Sequence, residues 1–450
     1  MLSSNCAISR STMSASPLAK SMASFAIRAH RPRALQAIPT LVTTVPRRSA
    51  AVAVSDEHVS HPAQQPLVEI NSVKNEHTRS ALQDAVSAHG PRNTWTREEI
   101  AAIYDTPLMD LVYNASTVHR RFHDPSQVQL CTLLSIKTGG CTEDCSYCAQ
   151  SSRYDTGLKA SKLVTLGSVL KAARMARDNG STRFCMGAAW RDMKGRKSNL
   201  RDIKEMIKEI RGMGMEVCVT LGMLDDAQAK ELKQAGLTAY NHNVDTSREF
   251  YPSVITTRSY DERLNTIDNV SQAGISVCSG GILGLGENKE DHIGLVYTLS
   301  TLPKHPESVP INTLVPIPGT PLGDNKPIEF KSVLRTIATA RIVMPKSIVR
   351  LAAGRITLSE EQQAMCFMAG ANAIFTGDKM LTTDCTSWDE DKDLLEGWGL
   401  RPMKSFERET GNPEMVDSAV ETDLEQEGSS ALFGTERSFE RVKRETGTSA

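Results

Sequence analysis

The chain has 450 residues, of which 40% are hydrophobic and 23% charged, and its formal net charge is −1 at pH 7. This balance favours a globular protein, and it gives no sign of a nucleic-acid or membrane-surface partner because neither sign of charge dominates. Ten cysteines in so long a chain argue against a secreted disulfide scaffold and for a reducing compartment. No apolar run reaches the length of about eighteen residues that predicts a membrane span.

The first 55 residues have a different composition from the rest of the chain. They contain seven arginines and lysines and many serines and alanines, and no acidic residue precedes Asp56. This pattern is typical of a transit peptide, so we predict mitochondrial import for residues 1–55, with plastid import as the alternative. A disordered tail is the other interpretation. Residues 56–92, which are polar and contain three prolines, are predicted to be a linker.

A folded region is predicted over residues 93–395. It opens with two helices, the first capped by Thr96 and the second at about 107–122, because acidic residues and then apolar residues at helical spacing follow the cap. Short β-rich runs then alternate with longer amphipathic stretches. Eight strands are predicted, at 128–136, 183–188, 216–221, 237–243, 275–280, 309–315, 348–352 and 373–376.

Seven helices are predicted between these strands. They lie at 165–179, 200–213, 227–235, 259–273, 290–302, 328–344 and 360–368. Eight strand–helix units predict an α/β fold of the (β/α)8 barrel type, with the active site at the C-terminal ends of the strands. Residues 396–450 are rich in polar residues and poor in large apolar ones, so a disordered C-terminal tail is predicted there.

Three clustered cysteines form the most specific motif of the chain. Cys141, Cys145 and Cys148 follow a Cys-x3-Cys-x2-Cys spacing, and three soft ligands suit a [4Fe-4S] cluster whose fourth iron binds a non-protein group. A structural zinc site would need a fourth ligand at a paired spacing. A dithiol redox motif would leave Cys141 without a role. With Tyr147 before the last cysteine, the run resembles the signature of the radical S-adenosylmethionine (SAM) enzymes.

Three further cysteines lie in predicted strands. Cys185, Cys218 and Cys278 fall in the second, third and fifth strands, where inward side chains line the barrel. A single strand cysteine is more often a small buried hydrophobe, but three at related positions could hold a second iron-sulfur cluster, with one ligand unaccounted for. No motif role is predicted for the other thiols at positions 131, 366 and 385, which we interpret as packed or surface cysteines.

Several ordered segments between about 95 and 395 resemble the biotin synthase family. These segments are 135–148, 152–154, 181–190, 240–246, 277–287, 308–312, 349–355 and 363–372. The resemblance implies a homodimeric TIM barrel of the radical SAM type, a sulfurtransferase that inserts sulfur into dethiobiotin in the final step of biotin biosynthesis. It also implies an electron donor of the ferredoxin or flavodoxin type and the iron-sulfur assembly machinery as partners. A related radical SAM enzyme acting on another small substrate, or a non-enzymatic metal-binding module, are the alternatives.

The resemblance also implies roles for individual residues. The [4Fe-4S] cluster and SAM would be held at Cys141, Cys145 and Cys148, and a [2Fe-2S] sulfur donor at Cys185, Cys218, Cys278 and Arg350. Residue chemistry alone would interpret Arg350 as an ion-pair partner, since arginine is protonated in nearly every protein setting. The implied SAM contacts are Tyr147, Asn243, Asp245, Gly280, Ile282 and Gly284, and the implied dethiobiotin contacts are Asn243 and Asn312. A structural polar network is the alternative for Asn243 and Asp245.

Overall fold

The computed structural model describes residues 81–377 and 379–405. The predicted presequence at 1–55, the first part of the predicted linker and the tail beyond residue 405 lie outside these residues. Residues 81–87, within the predicted linker, are helical (α1), and the side chains of Ala81, Leu82 and Ala85 are buried. Within 81–377 and 379–405, no helix is both long enough and apolar enough to cross a membrane.

Two helices precede the barrel, as predicted. They are α2 (Arg97–Tyr104) and α3 (Leu108–Phe122). The Thr96 side chain accepts a hydrogen bond from the backbone N–H of Glu99, and the Glu99 carboxylate accepts one from the backbone N–H of Thr96. This reciprocal capping box satisfies two backbone donors that a helix start leaves unpaired, and it confirms the predicted start of the first helix.

All eight predicted strands are present. They are β1 (Gln127–Lys137), β2 (Arg183–Ala188), β3 (Glu216–Thr220), β4 (Ala239–Asn241), β5 (Ser276–Cys278), β7 (Ser308–Thr313), β8 (Ile348–Leu351) and β9 (Ala373–Phe375). A short strand, β6 (Gly281–Leu283), continues β5 after a two-residue break and also pairs with β7. Every pair in this series is parallel, and pairing of β1 with β9 closes the barrel. The predicted (β/α)8 architecture is therefore confirmed.

The seven predicted crossover helices are also present. They are α4 (Leu166–Asp178), α5 (Lys197–Arg211), α6 (Asp226–Gln234), α7 (Tyr260–Gln272), α8 (Lys289–Ser300), α9 (Phe330–Val343) and α10 (Glu360–Met368). Four of them begin with a capping box at an Asp, Ser or Asn N-cap. The chain thus sets these helix starts locally, while burial of one helix face against the strands supplies most of their stability.

Four elements near the C-terminus were not predicted. The hairpin strands β10 (Lys379–Met380) and β11 (Thr383–Asp384) pair with each other, α11 (Trp388–Gly397) follows, and β12 (Arg401–Pro402) pairs with β1. The folded part of the chain therefore continues past residue 395, where the barrel domain was predicted to end. Only tertiary contact specifies two-residue strands, which are too short to give a period in the sequence.

The barrel has buried side chains on both faces of its strands. A large apolar core fills the space between strands and helices, and a small separate cluster lies inside the barrel: Cys131, Cys185, Cys218, Ala239 and Cys278. The parallel register pairs Cys185 with Cys218, and Asn241 with Cys278. Because alternate residues of a strand point to opposite faces, this register brings cysteines from separate strands to one inner wall.

Candidate active site

One cavity of about 340 Å³ opens at the C-terminal ends of the barrel strands. The two predicted groups of cysteines both line it, three in the loop after β1 and three on β2, β3 and β5. All six thiols are free, and five of them are buried. The structure therefore brings together two cysteine sets that lie up to 137 positions apart, Cys141 to Cys278, in the sequence.

The loop thiols are held by a compact turn. The backbone N–H of Cys148 donates to the carbonyl of Cys145 at 3.0 Å, and the Cys141 backbone bonds to Gln150 and Ser152. Burial raises the pKa of Cys148 to about 11, and it raises the pKa values of Cys141 and Cys145 as well. These thiols are protonated without a metal, so metal binding must release their protons.

Two carboxylates inside the motif fix the loop to the rest of the barrel. Glu143 is 2% exposed and lies 3.1 Å from Arg258, and the Asp144 carboxylate accepts hydrogen bonds from the backbone N–H groups of Thr256 and Thr257. The motif is thus anchored to the segment between β4 and α7. Sequence reasoning missed these anchors because their partners lie more than 100 residues away.

The strand thiols form a row of four rather than three. Its members are Cys131, Cys185, Cys218 and Cys278, which pack together in one buried cluster. Burial raises the pKa of Cys131, while contact with Cys131 and Cys218 lowers the pKa of Cys185. Contact with Cys185 and Cys278 raises the pKa of Cys218, and contact with Cys218 lowers that of Cys278 to about 6.

Arg350 projects from β8 to the end of this row. Its Nη1 donates to Sγ of Cys131 at 2.7 Å and its Nη2 to Oε1 of Gln129 at 2.7 Å, and the residue is 1% exposed. Its guanidinium also donates to the Ile374 carbonyl and the Ser308 hydroxyl at 3.4 Å, so none of these four hydrogen bonds goes to a carboxylate. The ion pair that residue chemistry favours for Arg350 is thus not what the structure places there, and the group faces thiols instead.

A second buried arginine lies beneath the row. Nη2 of Arg183 is 2.5 Å from Glu216 and 3.0 Å from Glu307. Gln129 links this pair to the arginine above, since its Nε2 lies 3.3 Å from the Glu216 carboxylate while its Oε1 accepts from Arg350. This polar floor fixes the base of the thiol row, and a buried charge of this kind needs its partners.

The polar wall of the cavity is built around Asp245. Its carboxylate accepts a hydrogen bond from the Tyr147 hydroxyl at 3.1 Å and lies 2.6 Å from Nη2 of Arg263. Burial raises the pKa of this carboxyl and the Arg263 guanidinium opposes that rise. Asp245 has a left-handed φ of 69°, which turns the chain so that its side chain and that of Asn243 both line the cavity.

The other predicted contact residues divide into two groups. Ile282 and Asn312 line the cavity, and the Asn312 side chain also bonds to the backbones of Gly281 and Ala353. Gly280 and Gly284, although predicted as SAM contacts, are not among the residues that line the cavity. A Cβ on Gly280 would lie 1.9 Å from the Pro310 carbonyl oxygen, so only glycine fits there.

Several residues that line the cavity escaped sequence reasoning. Arg183, Arg258 and Arg263 contribute buried charge, and residues 380–383 of the β10–β11 hairpin cover part of the opening. An arginine in a helix or strand gives no local sign that it is buried. The two strands of the hairpin have only two residues each, which is too short to give a periodic pattern in the sequence.

The donor set fits the implied clusters. Among the described residues, no three His, Cys, Asp or Glu side chains converge tightly enough to hold a single metal ion. Ligands of an iron-sulfur cluster bind different irons and are spread more widely, and buried free thiols in two sets of three are the donors that such clusters use. The cavity between the two sets can take a cofactor and a small substrate.

Comparison with known proteins decides the family. Residues 135–296 match the Radical SAM superfamily model, and residues 310–401 match the model of the Biotin and Thiamin Synthesis associated domain. A mitochondrial biotin synthase of Emericella nidulans (strain FGSC A4) is 69% identical over 73% of this chain and 84% of its own length. The chain belongs to the biotin synthase family. A mitochondrial biotin synthase of Arabidopsis thaliana is 60% identical over 76% of this chain and 91% of its own length.

Membership of the biotin synthase family agrees with the fold. The FeFe-hydrogenase maturase HydG from Carboxydothermus hydrogenoformans has a TM-score of 0.62 and 18% identity, over 74% of this chain and 80% of that one. At that identity the likeness concerns the barrel alone. The chain is therefore a radical SAM enzyme of the biotin synthase family, and the predicted family and fold are confirmed.

Proposed function

We propose that this chain catalyses the insertion of sulfur into dethiobiotin to form biotin. The observation that supports this proposal most strongly is that two sets of free thiols, one in a loop and one on three strands, line a single cavity. A radical enzyme that only abstracts hydrogen needs the first set alone. A second thiol set below it supplies a place for the atom that is inserted.

The loop set, Cys141, Cys145 and Cys148, would hold a [4Fe-4S] cluster with one iron open to SAM. When bound, the cluster and SAM supply an adenosyl radical that removes hydrogen atoms from unactivated substrate carbons. Asp245 presents a buried carboxylate that can accept hydrogen bonds from the ribose hydroxyls, and Tyr147 and Arg263 hold that carboxylate in place. Ile282 offers an apolar surface beside it.

The strand set, Cys185, Cys218 and Cys278, would hold a [2Fe-2S] cluster with Arg350 as its fourth ligand. That cluster supplies the sulfur atom. Arg350 lines the cavity at the end of the thiol row and its guanidinium lies at 2.7 Å from two neutral partners. Iron binding would require the guanidinium to lose a proton, and neither of these neutral partners opposes that loss as a carboxylate would.

Dethiobiotin would lie between the two clusters. Asn243 and Asn312 line this part of the cavity and offer amide groups to its ureido ring. Leu133 and Phe375 add apolar surface to the wall, and residues 380–383 of the hairpin also line the cavity. Two C–S bonds are made in the product, so two hydrogen atoms must be removed from carbons held in reach of both sites.

The proposal extends to location and partners. The relatives from Emericella nidulans and Arabidopsis thaliana are both named mitochondrial, which supports mitochondrial import directed by residues 1–55 and gives no support to the plastid alternative. We expect a homodimer that receives electrons from a ferredoxin- or flavodoxin-type protein. The iron-sulfur assembly machinery would supply both clusters.

Mössbauer spectroscopy after anaerobic reconstitution tests the two-cluster assignment. Wild-type protein should give [4Fe-4S] and [2Fe-2S] signals, and Cys185→Ser should lose the second signal while it keeps the first. Cys366→Ser is the matched control, because Cys366 is equally buried but lies in α10 outside the thiol row. A wild-type spectrum with only the [4Fe-4S] signal would contradict the sulfur-donor assignment. Growth of a biotin auxotroph on dethiobiotin tests the substrate separately.

A further inference from the structure

Cys131 is a buried thiol that the proposed function does not use. It lies on β1, is 0% exposed, and packs in one buried cluster with Cys185, Cys218 and Cys278, and its thiol donates to Oε1 of Gln129 at 3.7 Å. Its register partners on the two neighbouring strands are Arg183 and Phe375, so it faces the barrel interior rather than the helices. The row therefore offers four contiguous sulfurs from four different strands.

Arg350 lies directly against Cys131. The distance from its Nη1 to Sγ of Cys131 is 2.7 Å. Arg350 lines the cavity, whereas Cys131 is not among the residues that do so. The guanidinium thus covers the fourth thiol, and the two candidate donor atoms occupy adjacent positions at the same corner of the site.

We propose that Cys131 is the alternative fourth ligand of the strand site and exchanges with Arg350 at the iron of that corner. This inference rests on the proposed function, since it assumes that Cys185, Cys218 and Cys278 bind iron. Four thiolates are the usual ligand set of a [2Fe-2S] cluster. The Arg350 guanidinium contacts Sγ of Cys131, so its displacement from the row would expose the fourth thiol.

The exchange balances without an added reactant. The bond from Arg350 nitrogen to iron breaks, the proton of the Cys131 thiol passes to that nitrogen, and the resulting thiolate forms the new bond to iron. No electron moves, and the net charge of the site is unchanged because a guanidinium and a thiolate replace a neutral guanidine and a thiol. Cys131 would thereby retain iron in the site while the arginine bond is open.

Four proteins test this exchange: wild type, Arg350→Ala, Cys131→Ser and the double variant. After anaerobic reconstitution, Mössbauer and resonance Raman spectra measure the amount of [2Fe-2S] cluster and its Fe–S(Cys) bands. Arg350→Ala should keep at least half of the cluster and gain an all-thiolate band pattern. The double variant should lose that pattern and bind roughly tenfold less second-cluster iron, the usual effect of removing a ligand's support.

A chelator challenge tests the exchange in proteins that retain Arg350. Cys131→Ser should lose second-cluster iron to a chelator several times faster than wild type, while Cys366→Ser should match wild type. The [4Fe-4S] signal of the loop site serves as the folding control in every variant. Identical band patterns and iron content in Arg350→Ala and the double variant would overturn the exchange but leave the two-cluster assignment intact. Absence of the second cluster from wild type would overturn both.

Discussion

Replacement of Asp245 by Asn tests the proposed SAM site most directly. Asp245 and Arg263 are both buried, and the carboxylate lies 2.6 Å from the guanidinium. The substitution removes the negative charge but keeps the shape of the side chain. Asn also tolerates the left-handed φ of 69° at this position as well as Asp does, so backbone strain is not introduced.

Two effects follow from loss of the charge. Arg263 becomes an uncompensated buried cation, which costs about 3–5 kcal/mol of folding stability. The hydrogen bonds that we propose from ribose hydroxyls to the carboxylate would be weakened as well, and a hydrogen bond to a charged group contributes about 1.5–3 kcal/mol. SAM affinity should therefore fall by roughly 10- to 150-fold, since about 1.4 kcal/mol corresponds to a factor of ten.

Equilibrium dialysis of SAM against the reconstituted enzyme measures the second effect, and Tm measures the first. Asp391→Asn is the matched control. Asp391 and Arg355 form a buried ion pair with a distance of 2.7 Å between Oδ1 and Nη1, and neither residue lines the cavity. Both variants should lose Tm to a similar extent, but only Asp245→Asn should bind SAM more weakly. A Kd for SAM within twofold of wild type in Asp245→Asn would refute a ligand role and leave Asp245 as a structural residue.

Three further outcomes are expected. Gly280→Ala places Cβ 1.9 Å from the Pro310 carbonyl oxygen and should cost at least about 3 kcal/mol of folding stability, measured as a fall in Tm. Gly397→Ala is the control, since a Cβ there has nothing within 4 Å, and it should leave Tm unchanged or slightly raised. Burial lowers the pKa of His119 to about 2, so below about pH 6.5 only the unfolded chain takes up its proton. The contribution of His119 to folding stability is then full above that pH and falls by about 1.4 kcal/mol by pH 5.5. His119→Phe should therefore show a smaller fall in Tm between these pH values than wild type. An equal fall in Tm in the two proteins would disprove this effect. Arg183→Met removes the buried guanidinium that pairs with Glu216 and Glu307 beneath the thiol row and should cost about 3–5 kcal/mol; an unchanged Tm would contradict the floor described above.

The barrel was predictable because its signals are local. Strand and helix periods and capping residues such as Thr96 each act within a few residues. The failures share one cause. The break between β5 and β6 depends on the close approach of Gly280 to β7, and the β10–β11 hairpin and β12 are two-residue strands that exist only through pairing.

The functional site likewise has one part that local sequence predicts and another that only tertiary structure positions. The Cys141–Cys148 spacing and the family segments determine an enzyme with an open iron-sulfur cluster, because consecutive ligands on one loop need no tertiary structure to be recognised. Cys131 and Arg350 are different. They are 219 positions apart, and their 2.7 Å contact arises only because β1 pairs with β9, which pairs with β8. Closure of the barrel, a long-range event that no local pattern encodes, decided that Arg350 lies against Cys131, a thiol with no predicted motif role, at the end of the cysteine row.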